Sequence, residues 1–136
     1  MTSSLILSPE KEIYTGDSDT DWSYNELRML KYMLEQDGMQ FMRYFFKQRE
    51  GTKMLLNWHH YVIERVLQAV FDCDITRLIV NIAPGYTKTE QVVLNFIARG
   101  LALNHRAKFI HASYSGDLAQ ENSSKIKETV ESQSFQ

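Results

Sequence analysis

The sequence predicts an α/β chain: the start of a parallel sheet, preceded by a helical N-terminal region. Two apolar runs, 78–82 and 109–112, are each followed by a stretch with apolar residues at helical spacing, and strands alternating with helices of this length imply βαβ units. The first run closes in Ala83-Pro84-Gly85 and then Lys88-Thr89, the order of a strand, a tight loop and a helix. The residues ahead of it carry capped helical stripes instead of alternation. The chain therefore divides into a flexible acidic leader (1–21), a helical region (22–52) and an incomplete nucleotide-binding unit (53–136).

In the leader, Glu10, Glu12, Asp17, Asp19 and Asp21 stand against Lys11, with Pro9 and Gly16 and little to bury, so poor order is expected. Residues 22–36 read as a helix: Ser23 can cap it, Glu26 completes a capping box, and Leu27, Leu30, Met33 and Leu34 share one face. Gly38 breaks the pattern. Phe41, Met42, Phe45 and Phe46 then repeat to about Arg49 as a core or partner-facing stripe, and Glu50-Gly51-Thr52 is a turn. Residues 54–58 are a short apolar lead-in that a strand would fit. Residues 59–71 read as a helix with Val62, Ile63, Val66, Leu67 and Val70 apolar, and 72–76 connect it to the first strand. A helix from 88 to about 103 carries Val92, Val93, Phe96, Ile97 and Leu101 on one side. After the second strand, Ser115 or Asp117 can cap a last amphipathic helix over 118–130, with Leu118, Ile126 and Val130 on one face.

Composition bounds the rest. A chain of 136 residues, 43% hydrophobic and 24% charged, suits one globular unit with a real core. The net charge of −2 gives no global electrostatic case for nucleic-acid binding. Cys73 is the single cysteine, so an intrachain disulfide is excluded, which fits a reducing compartment. No apolar run approaches the roughly 18 residues of a membrane span, and 5–7 is too short for a signal-peptide core, so a cytoplasmic protein is expected.

The chemistry concentrates in 84–89. A loop that enters a helix points unpaired backbone N–H groups at an anion, and the helix dipole favours negative charge there. Pro84, Gly85, Tyr86, Thr87, Lys88 and Thr89 would form such a phosphate cradle. Lys88 would reach the β and γ phosphates as the catalytic cation, and the Thr89 hydroxyl would ligate Mg²⁺. The match to G-x-x-x-x-G-K-[ST] is partial: Ile82 and Thr87 stand at the two glycine positions, and Gly85 is displaced inside the loop. Thr87 is the demanding substitution, because the backbone before the lysine often needs torsions that a Cβ disfavours. ATP hydrolysis also needs an acid at a second strand end, and neither run ends in one; Asp117 reads as a helix cap. His59 and His60, adjacent on a helix, would point apart, and with His105, His111 and one cysteine they supply no metal set.

The loop, followed by 108–119 with its Ser113-Tyr114-Ser115 strand end and then Asn122-Ser123, resembles the large subunit of tailed-phage and prophage terminases, the ATP-driven DNA-packaging motors. Leu56-Asn57-Trp58-His59-His60, about 20 residues ahead of the loop, also looks like this family, in which it opens the ATPase region and can contribute to the adenine pocket. The resemblance covers about residues 40–136. It implies a RecA-like P-loop ATPase using ATP and Mg²⁺ through a Walker A lysine, and a nuclease that cuts concatemeric DNA. It implies double-stranded phage DNA, a small terminase subunit and the portal as partners, in the cytoplasm of a host bacterium. The sequence departs where Ala83 replaces a proline and where Gly85 replaces an arginine that can act as a finger in cis. The acidic hydrolysis motif and the nuclease are expected beyond residue 136, so the chain reads as an N-terminal fragment. The alternatives are another P-loop fragment, such as a helicase domain or nucleotide kinase, and a non-catalytic remnant acting through its phenylalanine stripe. Trp58 and the two histidines could stack on adenine, though simple packing is the favoured role.

Overall fold

The computed structural model describes residues 23–132 and Phe135. The expectations for the leader lie outside these residues. The described chain is helical: α1 spans Tyr24–Gln36, α2 Gly38–Glu50 and α3 Trp58–Phe71. Helical structure resumes at Lys88, widens into a π-helical segment over Glu90–Asn95, and continues as α4, Phe96–Leu103. The last helix, α5, spans Gly116–Glu131.

The first three helices start on side-chain caps. Ser23 and Glu26 form a reciprocal capping box at α1, with Glu26 Oε2 accepting from the Ser23 N–H at 2.8 Å. Asp37 caps α2, accepting the Met39 N–H at 2.8 Å, and α2 ends on Gly51 in the left-handed conformation. Gly38 therefore opens a helix instead of breaking one. Its missing side chain matters, because a Cβ there would lie 1.7 Å from Glu64 Oε1. Asn57 caps α3, with His60 in the role usually played by Glu or Gln. At α5 Ser115 occupies the cap position, but no side chain caps the helix, so neither Ser115 nor Asp117 serves as expected.

The phenylalanine stripe is core. Leu30 and Leu34 of α1, Phe41, Tyr44 and Phe45 of α2, and Ala98 of α4 form one cluster, with Ala102 and Phe135 against it. Met39, Met42 and Met54 form a second. Burial removes the support for reading the stripe as a docking helix. On α1 the predicted face is narrower than expected, since Leu27 and Met33 are exposed.

The parallel sheet is the expectation that the structure overturns. Among the described residues no strand forms: 77–83, 107–113 and the 54–57 lead-in run as unpaired chain. A strand is defined by its ladder, and a parallel pair is stable only with apolar cover on both faces. Here the cover is one-sided. Val80 and Ile82 turn partly inward and Leu78 and Val80 line a cleft with α3 residues Leu67 and Val70, while Ile79 is 94% exposed; Phe109 reaches Phe96, while Ile110 is 98% exposed. The apolar runs and their alternation are real, but helices absorb one side of each and nothing pairs with their backbones. The start of a RecA-like sheet is therefore not what these residues build. Among the described residues no helix is long and apolar enough to cross a membrane.

Candidate functional site: a strained loop at a helix start

The loop over 84–89 sits at the junction of α3 and the helix that begins at Lys88. The Gln91 N–H donates to the Thr87 carbonyl at 3.1 Å, the first intrahelical bond, so Thr87 stands at the N-cap and Lys88 opens the helix. Two loop residues are left-handed: Gly85 at φ +86° and Thr87 at φ +52°. For glycine that conformation is free. For a β-branched residue it is an outlier that persists only where surroundings enforce it. The backbone geometry expected of a glycine before the lysine is thus present, built with threonine.

The Thr87 side chain explains what the loop leaves open. A threonine at the N-cap ordinarily turns its oxygen to the N–H groups of the first turn. Here Thr87 Oγ1 lies 2.7 Å from His60 Nε2 instead. The N–H groups of Lys88, Thr89 and Glu90 consequently take no acceptor among the described residues. They converge with the helix dipole on the end of the helix where an anion is favoured.

The first turn is anchored from behind. Arg49, near the end of α2, pairs with Glu90 Oε2, both side chains nearly buried. Asn95 Nδ2 donates to Glu90 Oε1 at 2.7 Å and to the Glu90 carbonyl at 2.8 Å. Both carboxylate oxygens of Glu90 are thus occupied. Gln91, fully buried, donates from Nε2 to the His60 carbonyl at 2.8 Å. The Phe96 N–H reaches back five residues to the Gln91 carbonyl, the signature of the π-segment. Such wide turns recur at functional sites, and this one sets two buried amides, Gln91 and Asn95, behind the loop.

Lys88 and Thr89 line one cleft of about 390 Å³ with Leu67 and Val70 of α3, Leu78, Val80 and Phe96. Lys88 has no ion-pair partner among the described residues. Pro84, Gly85 and Tyr86 are exposed, and the Tyr86 ring meets His59 edge-on at 5.3 Å. His59 and His60, expected to point apart, are both buried with ring centroids 4.0 Å apart; the loop holds both rings against the start of α3. His59 Nε2 is buried without a partner among the described residues. His60 is buried beneath the loop and hydrogen-bonded at both ring nitrogens, while Trp58 is largely exposed. His105 and His111 lie elsewhere, the latter within 3.2 Å of Asn122.

Sequence reasoning placed the loop but missed three supports: His60, Arg49 and Asn95. His60 had a signal, standing three residues after an Asn cap. Arg49 and Asn95 act across long separations or through a π-turn that apolar periodicity does not reveal. Compared with family models, curated proteins and solved structures, the chain matches none of them.

Proposed function

We propose that this chain binds the phosphates of ATP at 84–89 and is the N-terminal ATP-binding segment of a DNA-packaging motor of the tailed-phage terminase large-subunit type. The observation that carries the nucleotide reading is Thr87: left-handed at the N-cap, with its hydroxyl turned to His60, it leaves the first-turn N–H groups open beside a lysine that has no ion-pair partner among the described residues. The motor reading rests on the resemblance of the loop and of 108–123 to that family.

The donor set suits a triphosphate. Open amide N–H groups at a helix start donate to anionic oxygens, Lys88 adds a cation, and the exposed Thr89 hydroxyl is available to a phosphate-bound Mg²⁺. Mg²⁺ with ATP would neutralise charge between the β and γ oxygens. The loop itself, 84–89, contains no acidic residue. The carboxylate nearest the loop in sequence, Glu90, is held on both oxygens by Arg49 and Asn95, so it is not free to polarise a water. Binding with negligible turnover is the expected behaviour of this chain.

Isothermal calorimetry with Mg²⁺ and ATP, on this chain and on Lys88→Ala, tests the reading. Saturable binding to the parent, weakened about tenfold or more in the variant, is expected for a charge-assisted phosphate contact. Equal binding by both, or none by a chain shown to be folded, contradicts it.

A further inference from the structure

His60 does more than fill space beneath the loop. Its Nδ1 lies 2.9 Å from the Asn57 amide nitrogen, whose N–H points at it, and 3.3 Å from the Asn57 carbonyl; the shorter, aligned N–H contact assigns Nδ1 as the acceptor and the ring proton to Nε2. Nε2 then donates to Thr87 Oγ1 at 2.7 Å. The residue's carbonyl accepts Gln91 Nε2 at 2.8 Å, so one histidine is tied to the N-cap of the following helix and to its first turn. It is only 3% exposed. Thr87, at φ +52°, is the one residue among 84–89 whose Cβ opposes its own backbone.

We propose that His60 is the positioning residue that holds Thr87 left-handed, so that a threonine performs the part a glycine plays unaided in other phosphate loops. This rests on the ATP-binding reading above for its purpose, but not for its test. The hydrogen bond does two jobs through one atom. It offsets the torsional cost of the left-handed threonine, and it draws Oγ1 away from the first-turn amides that an anion requires. Without the Nε2 donor, Thr87 relaxes toward negative φ or caps the helix with its own hydroxyl, and either closes the cradle.

A double-mutant cycle of His60→Asn and Thr87→Gly isolates this coupling. Asparagine keeps an acceptor near the position of Nδ1, so the cap of α3 is retained while the donor to Thr87 is lost; glycine at 87 needs no help to be left-handed. ATP affinity, read by calorimetry, should fall about tenfold in His60→Asn, the scale of one lost hydrogen bond. It should fall less than about twofold when the same change is made on Thr87→Gly. His60→Gln, which returns an N–H donor near the position of Nε2, should restore most of the affinity in the Thr87 chain. An equal loss in both backgrounds overturns the proposal. If the parent binds no ATP, the nucleotide reading fails and the positioning claim is still decided by thermal unfolding without ligand. In that case His60→Asn should lower the midpoint clearly in the Thr87 chain and much less in Thr87→Gly. Equal lowering in both overturns it. Should His60→Asn not fold in the Thr87 chain, folding of the double variant supports the claim, and failure of both overturns it.

Discussion

At residue scale the loop exchanges one source of backbone freedom for another. Gly85 is left-handed with open space around it; Thr87 is left-handed because His60 makes it so. That arrangement carries a pH dependence. Burial, then the neighbouring His59, push the His60 imidazole below the ordinary histidine value of 6.5, against an opposing hydrogen bond with Asn57. The folded state therefore binds this proton less readily than the unfolded chain. His60's contribution to stability is complete above about pH 6.5 and is lost as pH falls from there through the lower folded value. The other titratable groups on the surrounding elements are His59, Tyr61, Glu64 and Arg65 on α3, Tyr86 in the loop, and Lys88 and Glu90 at the helix start. Glu64 has its pKa raised by burial, partly opposed by Arg99, and acts in the opposite direction. Comparison with His60→Gln cancels such shared terms. Denaturant midpoints measured between about pH 5 and 8 should fall more steeply on acidification for the parent than for His60→Gln. Parallel curves would count against a neutral, hydrogen-bonded His60. The sequence marked Thr87 as the demanding position; it could not show that the partner lay 27 residues earlier, because a side-chain bond across two elements leaves no periodic trace.

At the scale of elements, the helices were legible and their interlocking was not. Caps at Ser23, Asp37 and Asn57 and the left-handed Gly51 set the first three helices, all by local chemistry that a sequence displays. The junctions depend on buried charge. Arg49 joins α2 to the π-segment through Glu90, and Arg99 joins α4 to α3 through Glu64 at 3.3 Å while donating to the Glu35 carbonyl at 3.2 Å. Removing one partner of a buried pair leaves the other uncompensated, so Arg49→Met should cost about 3–5 kcal/mol in chemical denaturation. It should also loosen the first turn of the helix at Lys88. A loss below about 1 kcal/mol would mean that the pair is effectively solvated. Gly38→Ala should cost about 1–3 kcal/mol by overpacking, since the new methyl falls on the Glu64 carboxylate. An unchanged midpoint would show that Glu64 swings away without loss.

At the scale of the whole molecule, the sequence misled about the sheet for an identifiable reason. Runs such as 78–82 satisfy the strand pattern, yet strand formation is decided by a pairing partner and by cover on the second face, neither of which a single run encodes. In the described chain, α3 and α4 cover one side only. If Ile79 and Ile110 are as exposed as the structure has them, the double substitution Ile79→Lys, Ile110→Lys should leave the unfolding free energy within about 0.5 kcal/mol of the parent. A loss of several kcal/mol would indicate that both side chains are buried in a sheet. The same substitutions should raise solubility, because they break up exposed apolar chain.

The open amides of Lys88, Thr89 and Glu90 are the centre of the proposed anion cradle. A ¹H–¹⁵N correlation titration with ATP and Mg²⁺ reads them one by one. Saturable shifts should centre on Gly85, Thr87, Lys88, Thr89 and Glu90, and should largely disappear in Lys88→Ala. Shifts that avoid this segment, or that survive unchanged in Lys88→Ala, would contradict the claim that the left-handed Thr87 holds open a phosphate site.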